Sequence, residues 1–221
     1  SGNFLLAFGR DETPEKKLTV INARGTAKDY SLNVTATKWD IQDIKGIPQK
    51  KVTPSAADQK EIGRERGDLK KALADKLNKN YWEKGFVIPV KGRISGHFGG
   101  QRIMNGRKMN PHQGTDIAAP EGTPVKAASN GIVRLSGGNY FYSGNTVVID
   151  HGHRLFTIYA HLKKASVKPG DYVRQGQVIG EVGKTGRVTG PHLHWGASLN
   201  GVRFTPESLL HMNNADFCFN L

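Results

Sequence analysis

Two histidines separated by one residue, His192 and His194, are the side chains whose spacing points most directly to chemistry. A second pair, His112 and Asp116, stands upstream with three residues between its members. In an extended strand, residues i and i+2 project from the same face, so His192 and His194 can point into one site. Two imidazoles and one carboxylate are a ligand set for a zinc ion with an open catalytic position. The sequence therefore predicts a metal site.

The segment that carries these residues has the pattern of an antiparallel β domain. Beyond Phe86, short runs rich in Val, Ile and Thr alternate with Gly and Pro turns, as in residues 146–149 and 155–159. Runs of this length without a helical period are typical of strands joined by turns. We predict a mainly β fold class, with an antiparallel sheet forming a domain over residues 86–210.

The N-terminal part is predicted to contain a small β segment, an extended connection and one helix. Two short runs, residues 18–22 and 30–35, indicate strands around a turn at Gly25, within a partial β-rich segment over residues 1–38. Gly and Pro residues favour an extended connection from residue 39 to residue 54. Ser55 can cap a helix whose apolar residues recur at helical spacing as far as Leu77. Residues 39–85 are therefore assigned as linker and helix, and residues 211–221 as a tail.

The charge of the chain favours an anionic partner. The 221 residues carry a formal net charge of +13, from 32 Lys and Arg against 19 Asp and Glu, and most of this excess lies beyond residue 85. Only 8% of residues are aromatic, and no basic run alternates with aromatic residues as it would in a nucleic-acid platform. We therefore predict an acidic polymer as partner, and no nucleic acid.

Cysteine content and hydropathy limit the other classes. Cys218 stands alone, so an internal disulfide and a cysteine-rich zinc site are excluded. No apolar run is long enough to span a membrane. The chain begins with Ser1 instead of Met, and we expect its targeting segment to have been removed.

Four segments follow one another in a recognisable order and spacing between residues 86 and 207. They are residues 110–120 (NPHQGTDIAAP), 158–162 (IYAHL), 167–180 (VKPGDYVRQGQVIG) and 185–195 (TGRVTGPHLHW). Together they resemble the lysostaphin-like, LytM-type M23 zinc peptidases, which cut the peptide part of bacterial peptidoglycan. The small β segment before the helix makes the chain more similar to Gram-negative members than to lysostaphin.

The resemblance implies a role for each of five residues. His112 and Asp116 match the first two zinc ligands of the family, and His194 matches the third. His161 and His192 match two histidines that face the metal-bound water and the substrate without binding the metal. Non-catalytic relatives that regulate other wall hydrolases have lost some of these residues, whereas all five are present here. The resemblance thus implies an active enzyme with Zn²⁺ as its cofactor.

The same residues account for hydrolysis chemically. Three protein ligands leave a fourth zinc position for water, whose pKa falls to about 7 in such sites. The chain contains no His-Glu-x-x-His motif, so the proton-transferring base is not a thermolysin-type glutamate. His161 and His192 are the candidates for general base and for stabiliser of the oxyanion, and the sequence does not assign one role to each.

The predicted function is zinc-dependent endopeptidase cleavage of peptidoglycan cross-links. By analogy with Gram-negative relatives, the substrate is the D-Ala to diaminopimelate bond of stem peptides, and the location is the periplasm or another cell-envelope compartment. A D,D-carboxypeptidase on stem peptides and a non-catalytic regulator of other wall hydrolases stay open as alternatives. We favour a monomer, and inhibition by the N-terminal region is a further hypothesis.

Several neighbouring residues are weaker candidates for contact with substrate. Arg102, Asn105 and Arg107 could pair with substrate carboxylates. Tyr159 and Trp195 could line the groove, although packing beside their strands is the favoured role for both. These five positions are expectations that depend on how the strands are arranged.

Overall fold

The computed structural model describes residues 4–212, and β-strands make up most of its regular structure. The strands are β1 Glu15–Ile21, β2 Ala27–Asn33, β3 Ile41–Ile44, β4 Arg93–Gly96, β5 Gln101–Met104, β6 Arg107–Lys108, β7 Thr115–Ala118, β8 Pro124–Lys126, β9 Gly131–Tyr140, β10 Gly144–Asp150, β11 Leu155–Leu162, β12 Lys164–Ala165, β13 Tyr172–Val173, β14 Val178–Glu181, β15 His192–Leu199 and β16 Val202–Phe204. The helices are α1 Gln49–Val52, α2 Ala56–Ala72 and a 3-10 helix, Pro206–His211. The mainly β fold class is confirmed.

An eight-stranded antiparallel sheet forms the centre of the molecule. Its strand order is β13-β9-β10-β11-β15-β7-β4, with β16 paired to β15. Strand β11 lies in the middle and is buried along its whole length, because one sheet face packs on the main core and helix α2 covers part of the other. Large side chains such as Tyr159, Trp195 and Ile117 are at most 1% exposed. This packing gives the central strands a fixed register.

Two three-stranded sheets flank the large sheet, in the orders β12-β14-β8 and β3-β5-β6. Strand β3 pairs in parallel with β5, from Ile41 opposite Gln101 to Ile44 opposite Met104. The sequence prediction of an extended connection over residues 39–54 therefore missed a strand and the short helix α1. It was misled by Gly46, which adopts a left-handed backbone (φ 78°) only after the strand has ended.

Helix α2 begins where the sequence predicts. The Ser55 hydroxyl accepts a hydrogen bond from the Asp58 backbone N–H, and the Asp58 carboxylate accepts one from the Ser55 N–H, which completes a capping box. The helix ends at Ala72, five residues before the predicted end at Leu77. Leu73 and Leu77 continue the helical spacing and are half-buried, although they lie beyond the end of the helix. The spacing of apolar residues alone therefore does not mark where a helix ends.

The N-terminal strands form a separate ribbon. Strands β1 and β2 pair over their full length around the turn at Gly25, close to the predicted positions. Of the predicted C-terminal tail, residues 213–221 and therefore Cys218 lie outside the described residues. No helix among residues 4–212 is both long enough and apolar enough to cross a membrane.

Candidate active site

Three adjacent central strands bring the predicted site residues together. In the antiparallel pairing of β7 with β15, Asp116 lies directly opposite His194. His192 lies two positions before His194 on the same face of β15, as the alternation of the strand requires. His112 belongs to the loop that leads into β7. The cleft therefore opens on one face of the sheet, where β7, β15 and β11 run side by side.

His161 reaches this face because its backbone breaks the strand alternation. Tyr159 pairs with Trp195 on the core side, so regular alternation would turn the side chain at position 161 toward the core as well. His161 instead has a left-handed backbone (φ 63°), which is uncommon for a residue other than glycine. Its ring lies 4.9 Å from the His192 ring, measured between centroids. The sequence alternation alone could not have predicted this position.

Three side-chain atoms converge on one point. His112 Nε2 lies 3.0 Å from Asp116 Oδ1, His194 Nδ1 lies 2.9 Å from the same oxygen, and the two nitrogens are 2.9 Å apart. We call this set of three residues the metal corner. Within residues 4–212, it is the one group of three or more His, Cys, Asp and Glu side chains arranged to hold a metal ion.

The hydrogen bonds of the rings fit a cation at this corner. His112 Nδ1 lies 2.9 Å from the backbone carbonyl of His97, which can only accept, so in the neutral ring Nδ1 carries the proton and Nε2 presents a lone pair. That lone pair faces the Asp116 oxygen, which is also an acceptor, and a shared cation satisfies both. Two ligands of one tetrahedral zinc ion lie about 3.3 Å apart, close to the distances found here.

Asp116 is held with one oxygen toward the corner. Its Oδ2 accepts a hydrogen bond from Arg102 Nη2, which leaves Oδ1 for the two histidines. Burial alone would raise the pKa of Asp116, but contacts with His112 and His194 outweigh burial and hold this pKa well below its usual range. The carboxylate is therefore ionised and suited to bind a cation.

Position 114, in the segment of residues 110–120, has space only for glycine. A Cβ atom at this position would lie 2.5 Å from the Trp195 carbonyl oxygen and 2.8 Å from the His194 ring. The loop from His112 to Asp116 thus passes so closely over β15 that a side chain larger than hydrogen would displace the His194 ring.

The other two cleft histidines, which we call the flanking pair, have the same ring orientation as each other. His161 Nδ1 lies 2.9 Å from the Thr185 carbonyl, and His192 Nδ1 lies 2.9 Å from the Gly190 carbonyl. In each neutral ring, Nδ1 therefore carries the proton and Nε2 is unprotonated. His192 Nε2 is 3.7 Å from Asp116 Oδ1, outside the shell that the corner atoms form.

Burial makes His161 a neutral base. The side chain is 8% exposed, and this burial, followed by the nearby His192 and His194, lowers the pKa of His161 well below its usual value. Burial likewise lowers the pKa of His194 to about 4, against the opposing effect of Asp116. Both rings are thus neutral at pH 7, the state in which an imidazole nitrogen can accept a proton or bind a metal ion.

A cavity of about 250 Å³ adjoins the metal corner and contains the side chains that can meet a substrate. Asp116 and His192 form part of its wall, Arg102 and residues of β3 another part, and Arg187 a third. Of the predicted contacts, only Arg102 lines it. Asn105 instead donates a hydrogen bond to the Ile47 carbonyl, and Arg107 is solvent-exposed beyond the cavity.

The expectation that Tyr159 and Trp195 pack beside their strands is confirmed. Tyr159 and Trp195 do not line the groove, since both are at most 1% exposed and belong to the main core. Sequence analysis also overlooked Arg187, which stands five residues before His192 in the loop that leads into β15. The signal available was its position inside the 185–195 motif, next to residues already assigned to the site.

The sequence is similar to proteins of one peptidase family. The sequence model of peptidase family M23 matches residues 110–206, which contain all five site residues. The peptidoglycan DD-endopeptidase ShyC of Vibrio cholerae is 38% identical over 65% of this chain and 35% of its own length. The DD-carboxypeptidase/endopeptidase Mpg of Neisseria meningitidis is 43% identical over 58% of this chain and 31% of its own length. The chain thus spans about a third of these curated relatives.

One solved structure is similar over most of the molecule. A Pseudomonas aeruginosa protein assigned to peptidase M23 superposes with a TM-score of 0.71 and 34% sequence identity. The match covers 90% of this chain and 75% of that one. The similarity therefore includes the segments that precede the sheet as well as the sheet that carries the cleft.

Proposed function

This chain belongs to peptidase family M23, and from that premise we propose that it is a zinc endopeptidase that hydrolyses the peptide cross-links of bacterial peptidoglycan. The observation that carries the proposal is the convergence of His112 Nε2, Asp116 Oδ1 and His194 Nδ1 within 3.0 Å of one another. The name of the similar Vibrio cholerae protein, a peptidoglycan DD-endopeptidase, supports the substrate class.

The metal corner supplies the ligands for zinc. Nitrogen and carboxylate ligands in a set of three are typical of catalytic zinc sites, and when bound the ion acts as a Lewis acid and lowers the pKa of a coordinated water. Asp116 would neutralise part of the positive charge of the ion. Arg102 donates a hydrogen bond to Asp116 Oδ2 and so keeps Oδ1 directed toward the metal corner. The His97 carbonyl holds the His112 ring in the tautomer that binds a cation.

The flanking pair supplies proton transfer. Both Nε2 atoms of His161 and His192 accept a proton in the neutral ring and donate one after protonation. We propose that one ring accepts a proton from the attacking water and passes it to the departing amine nitrogen, and that the other, protonated from solvent, donates a hydrogen bond to the oxyanion. Their backbone partners, Thr185 and Gly190, keep both Nε2 atoms directed away from the main chain.

A second activity is favoured by one specific observation. The similar Neisseria meningitidis protein is named for both carboxypeptidase and endopeptidase action. Removal of a terminal residue and cleavage of a cross-link require the same attack on an amide carbonyl. We therefore include release of a terminal D-alanine as the second candidate.

The proposed setting follows from the substrate. Peptidoglycan lies outside the cytoplasm, so we propose action in the periplasm or another envelope compartment. Stem peptides carry free carboxylates, and the net charge of +13 attracts such a polymer. One copy is enough for the chemistry, because a single chain contributes the metal corner and the flanking pair.

The test uses a defined cross-linked stem-peptide dimer and an uncross-linked pentapeptide, each incubated with the purified chain. We expect mass spectrometry to find two monomers from the dimer, no product after chelation, and recovery when zinc is restored. Cleavage of the pentapeptide alone would select the carboxypeptidase activity. Failure of the zinc-restored protein to cleave either substrate would overturn the proposal.

A further inference from the structure

We infer that Arg187 forms a carboxylate-binding subsite beside the metal corner. The subsite selects peptides in which the residue that supplies the nitrogen of the scissile amide keeps a free α-carboxylate. This inference rests on the proposed peptidase function and specifies which substrates the cleft accepts.

The position of Arg187 places its charge within reach of a bound peptide. Its side chain lines the same cavity as Asp116 and His192. The guanidinium carbon lies 4.3 Å from the centre of the Tyr142 ring, and the Arg187 backbone N–H donates to the Tyr142 carbonyl at 2.9 Å. Stacking on an aromatic face fixes a guanidinium plane without using its N–H groups. The head group is therefore held in place while its donors stay available.

Few of those donors are used by the protein. Among residues 4–212, the one side-chain hydrogen bond of Arg187 is a long contact of 3.5 Å from Nη1 to the Lys51 carbonyl, and no carboxylate forms an ion pair with it. A guanidinium has five N–H donors in a planar fork. Burial lowers the pKa of Arg187 below its usual value, as expected for a cation removed from water, although the charge of Glu65, which forms no ion pair with Arg187, opposes this shift.

Arg102 and Arg187 line the same cavity, but only Arg102 forms an ion pair with a carboxylate among the described residues. Its Nη2 donates to Asp116 and its Nε donates to the Gln42 side chain at 3.2 Å. Its charge is thus matched by a carboxylate of the protein. Arg187 has no such partner in the described part of the chain, so a carboxylate of the ligand is the group that completes it.

The chemistry of the substrate indicates which carboxylate this is. A cavity of about 250 Å³ has room for only the residues next to the scissile bond. In a cross-link between two D-centres, the amide nitrogen is attached to a carbon that also bears a carboxylate. This group is the carboxylate nearest to the bond that is cut. A terminal D-alanine released by carboxypeptidase action presents the same group at the same place.

The test compares two synthetic stem-peptide dimers that differ only at this carboxylate, which is free in one and a carboxamide in the other. For the zinc-loaded wild-type protein, we expect kcat/KM to be about 10- to 100-fold higher for the acid. Arg187→Gln should remove this ratio by lowering the value for the acid alone, and Arg187→Lys, which lacks the fork, should keep part of it. Arg174→Gln, at an exposed turn, serves as the matched charge control.

A second readout does not require turnover. N-acetyl-D-alanyl-D-alanine and its C-terminal amide are titrated into the chelator-treated protein and followed by NMR. We expect the acid to bind more tightly than the amide to the wild-type chain and equally to Arg187→Gln. Equal loss for acid and amide in the variant, or an unchanged ratio, would overturn the subsite while leaving the peptidase function intact. If the zinc-loaded wild type cleaved neither the dimers nor the pentapeptide, both the peptidase function and the subsite would be overturned.

Discussion

The metal corner and the flanking pair contain the same residue type but place its free nitrogens differently. In the corner, His112 and His194 bring ring nitrogens to within 3.0 Å of a single Asp116 oxygen. In the flanking pair, His192 Nε2 stays 3.7 Å from that oxygen, and His161 packs its ring against His192 at 4.9 Å between centroids. Distance to one carboxylate, and not residue type, therefore separates the two proposed histidine ligands from the two rings proposed to transfer protons.

The backbone determines which nitrogen each ring presents. Carbonyl groups of His97, Thr185 and Gly190 each receive an Nδ1–H, so three of the four rings direct Nε2 into the cleft. His194 is the exception and turns Nδ1 toward Asp116. A ligand role for His194 therefore depends on the geometry of β15 and its close neighbour Gly114.

The largest expected effect comes from removing the shared oxygen. Asp116→Ala leaves two lone pairs without the charge that helps them to hold a cation, and we expect zinc affinity to fall by more than about 100-fold, with loss of all cleavage. Competition with a zinc-binding dye checks the affinity. Asp171→Asn, in an exposed turn, is the control and should bind zinc like the wild type. If Asp116→Ala bound zinc as tightly as the wild type, the metal corner would not be the zinc site, and its distinction from the flanking pair would be wrong.

Loss of one flanking ring should reduce turnover while the corner stays intact. We expect kcat/KM of His192→Ala to fall by about 10²- to 10⁴-fold, since general acid–base groups contribute factors of this size. Steady-state cleavage of the cross-linked dimer measures the effect, with the exposed His211→Ala as control. A decrease in kcat/KM of less than threefold would show that His192 does not take part in catalysis.

A smaller effect is expected from the support behind His161. Glu65 on helix α2 is 7% exposed and accepts hydrogen bonds from the backbone N–H groups of Tyr142 and Ser143, both at 3.0 Å. The Ser143 carbonyl in turn accepts from the His161 N–H at 2.8 Å. We expect Glu65→Gln to lower the free energy of unfolding by about 2 kcal/mol and to reduce turnover more than zinc affinity.

Urea unfolding and zinc titration measure the two quantities for Glu65→Gln. The control on the same helix is Glu61→Gln, because the Glu61 side chain is 42% exposed and forms, among the described residues, only a long ion pair with Arg64. Its expected change is below about 0.5 kcal/mol. If Glu65→Gln weakened zinc binding as strongly as turnover, helix α2 would support the corner and the flanking pair equally.

A fifth histidine, His151, gives the smallest expected effect on activity, which is none. Both ring nitrogens are occupied, by the Asn130 carbonyl at 2.6 Å and by the Thr157 hydroxyl at 2.7 Å. Burial lowers the pKa of His151 to about 4, below the value of about 6.5 in the unfolded chain. The unfolded state therefore binds more protons between these pH values, so the stability that neutral His151 contributes is complete above pH 6.5 and is lost as the pH falls toward 4.

Between pH 7.5 and pH 5, we expect the free energy of unfolding of the wild type to fall by about 2 kcal/mol because of His151. Urea unfolding at both pH values should show this contribution in the wild type and not in His151→Gln. Cleavage at pH 7.5 should be the same for both proteins once folded. A pH dependence that persists unchanged in His151→Gln would assign the effect to other groups.

The sequence predicted the corner better than its surroundings. Asp116, His192 and His194 lie on strands whose alternation can be read from the sequence, and the structure places all three on one face. The ring of His161 depends on a left-handed backbone that the alternation rule does not foresee. The resemblance to a known family, and not periodicity, placed it in the site.

Long-range pairing explains the other differences from the sequence predictions. Strand β3 forms because β5, about sixty residues later in the chain, lies beside it, and local Gly and Pro signals indicated only a connection. The sequence does not show which arginine is paired with a carboxylate. The structure pairs Arg102 with Asp116 and Gln42, and this contrast is what draws attention to Arg187. Local patterns predict elements, whereas partners depend on the assembled fold.

The division between the two groups is tested most directly by the zinc content of His161→Ala, measured together with its cleavage of the cross-linked dimer. We expect His161→Ala to hold one zinc ion per chain, the content that we also expect of the wild type, and its cleavage to be reduced by at least about 100-fold. A variant that lost its zinc, or one that kept both zinc and wild-type cleavage, would contradict this division.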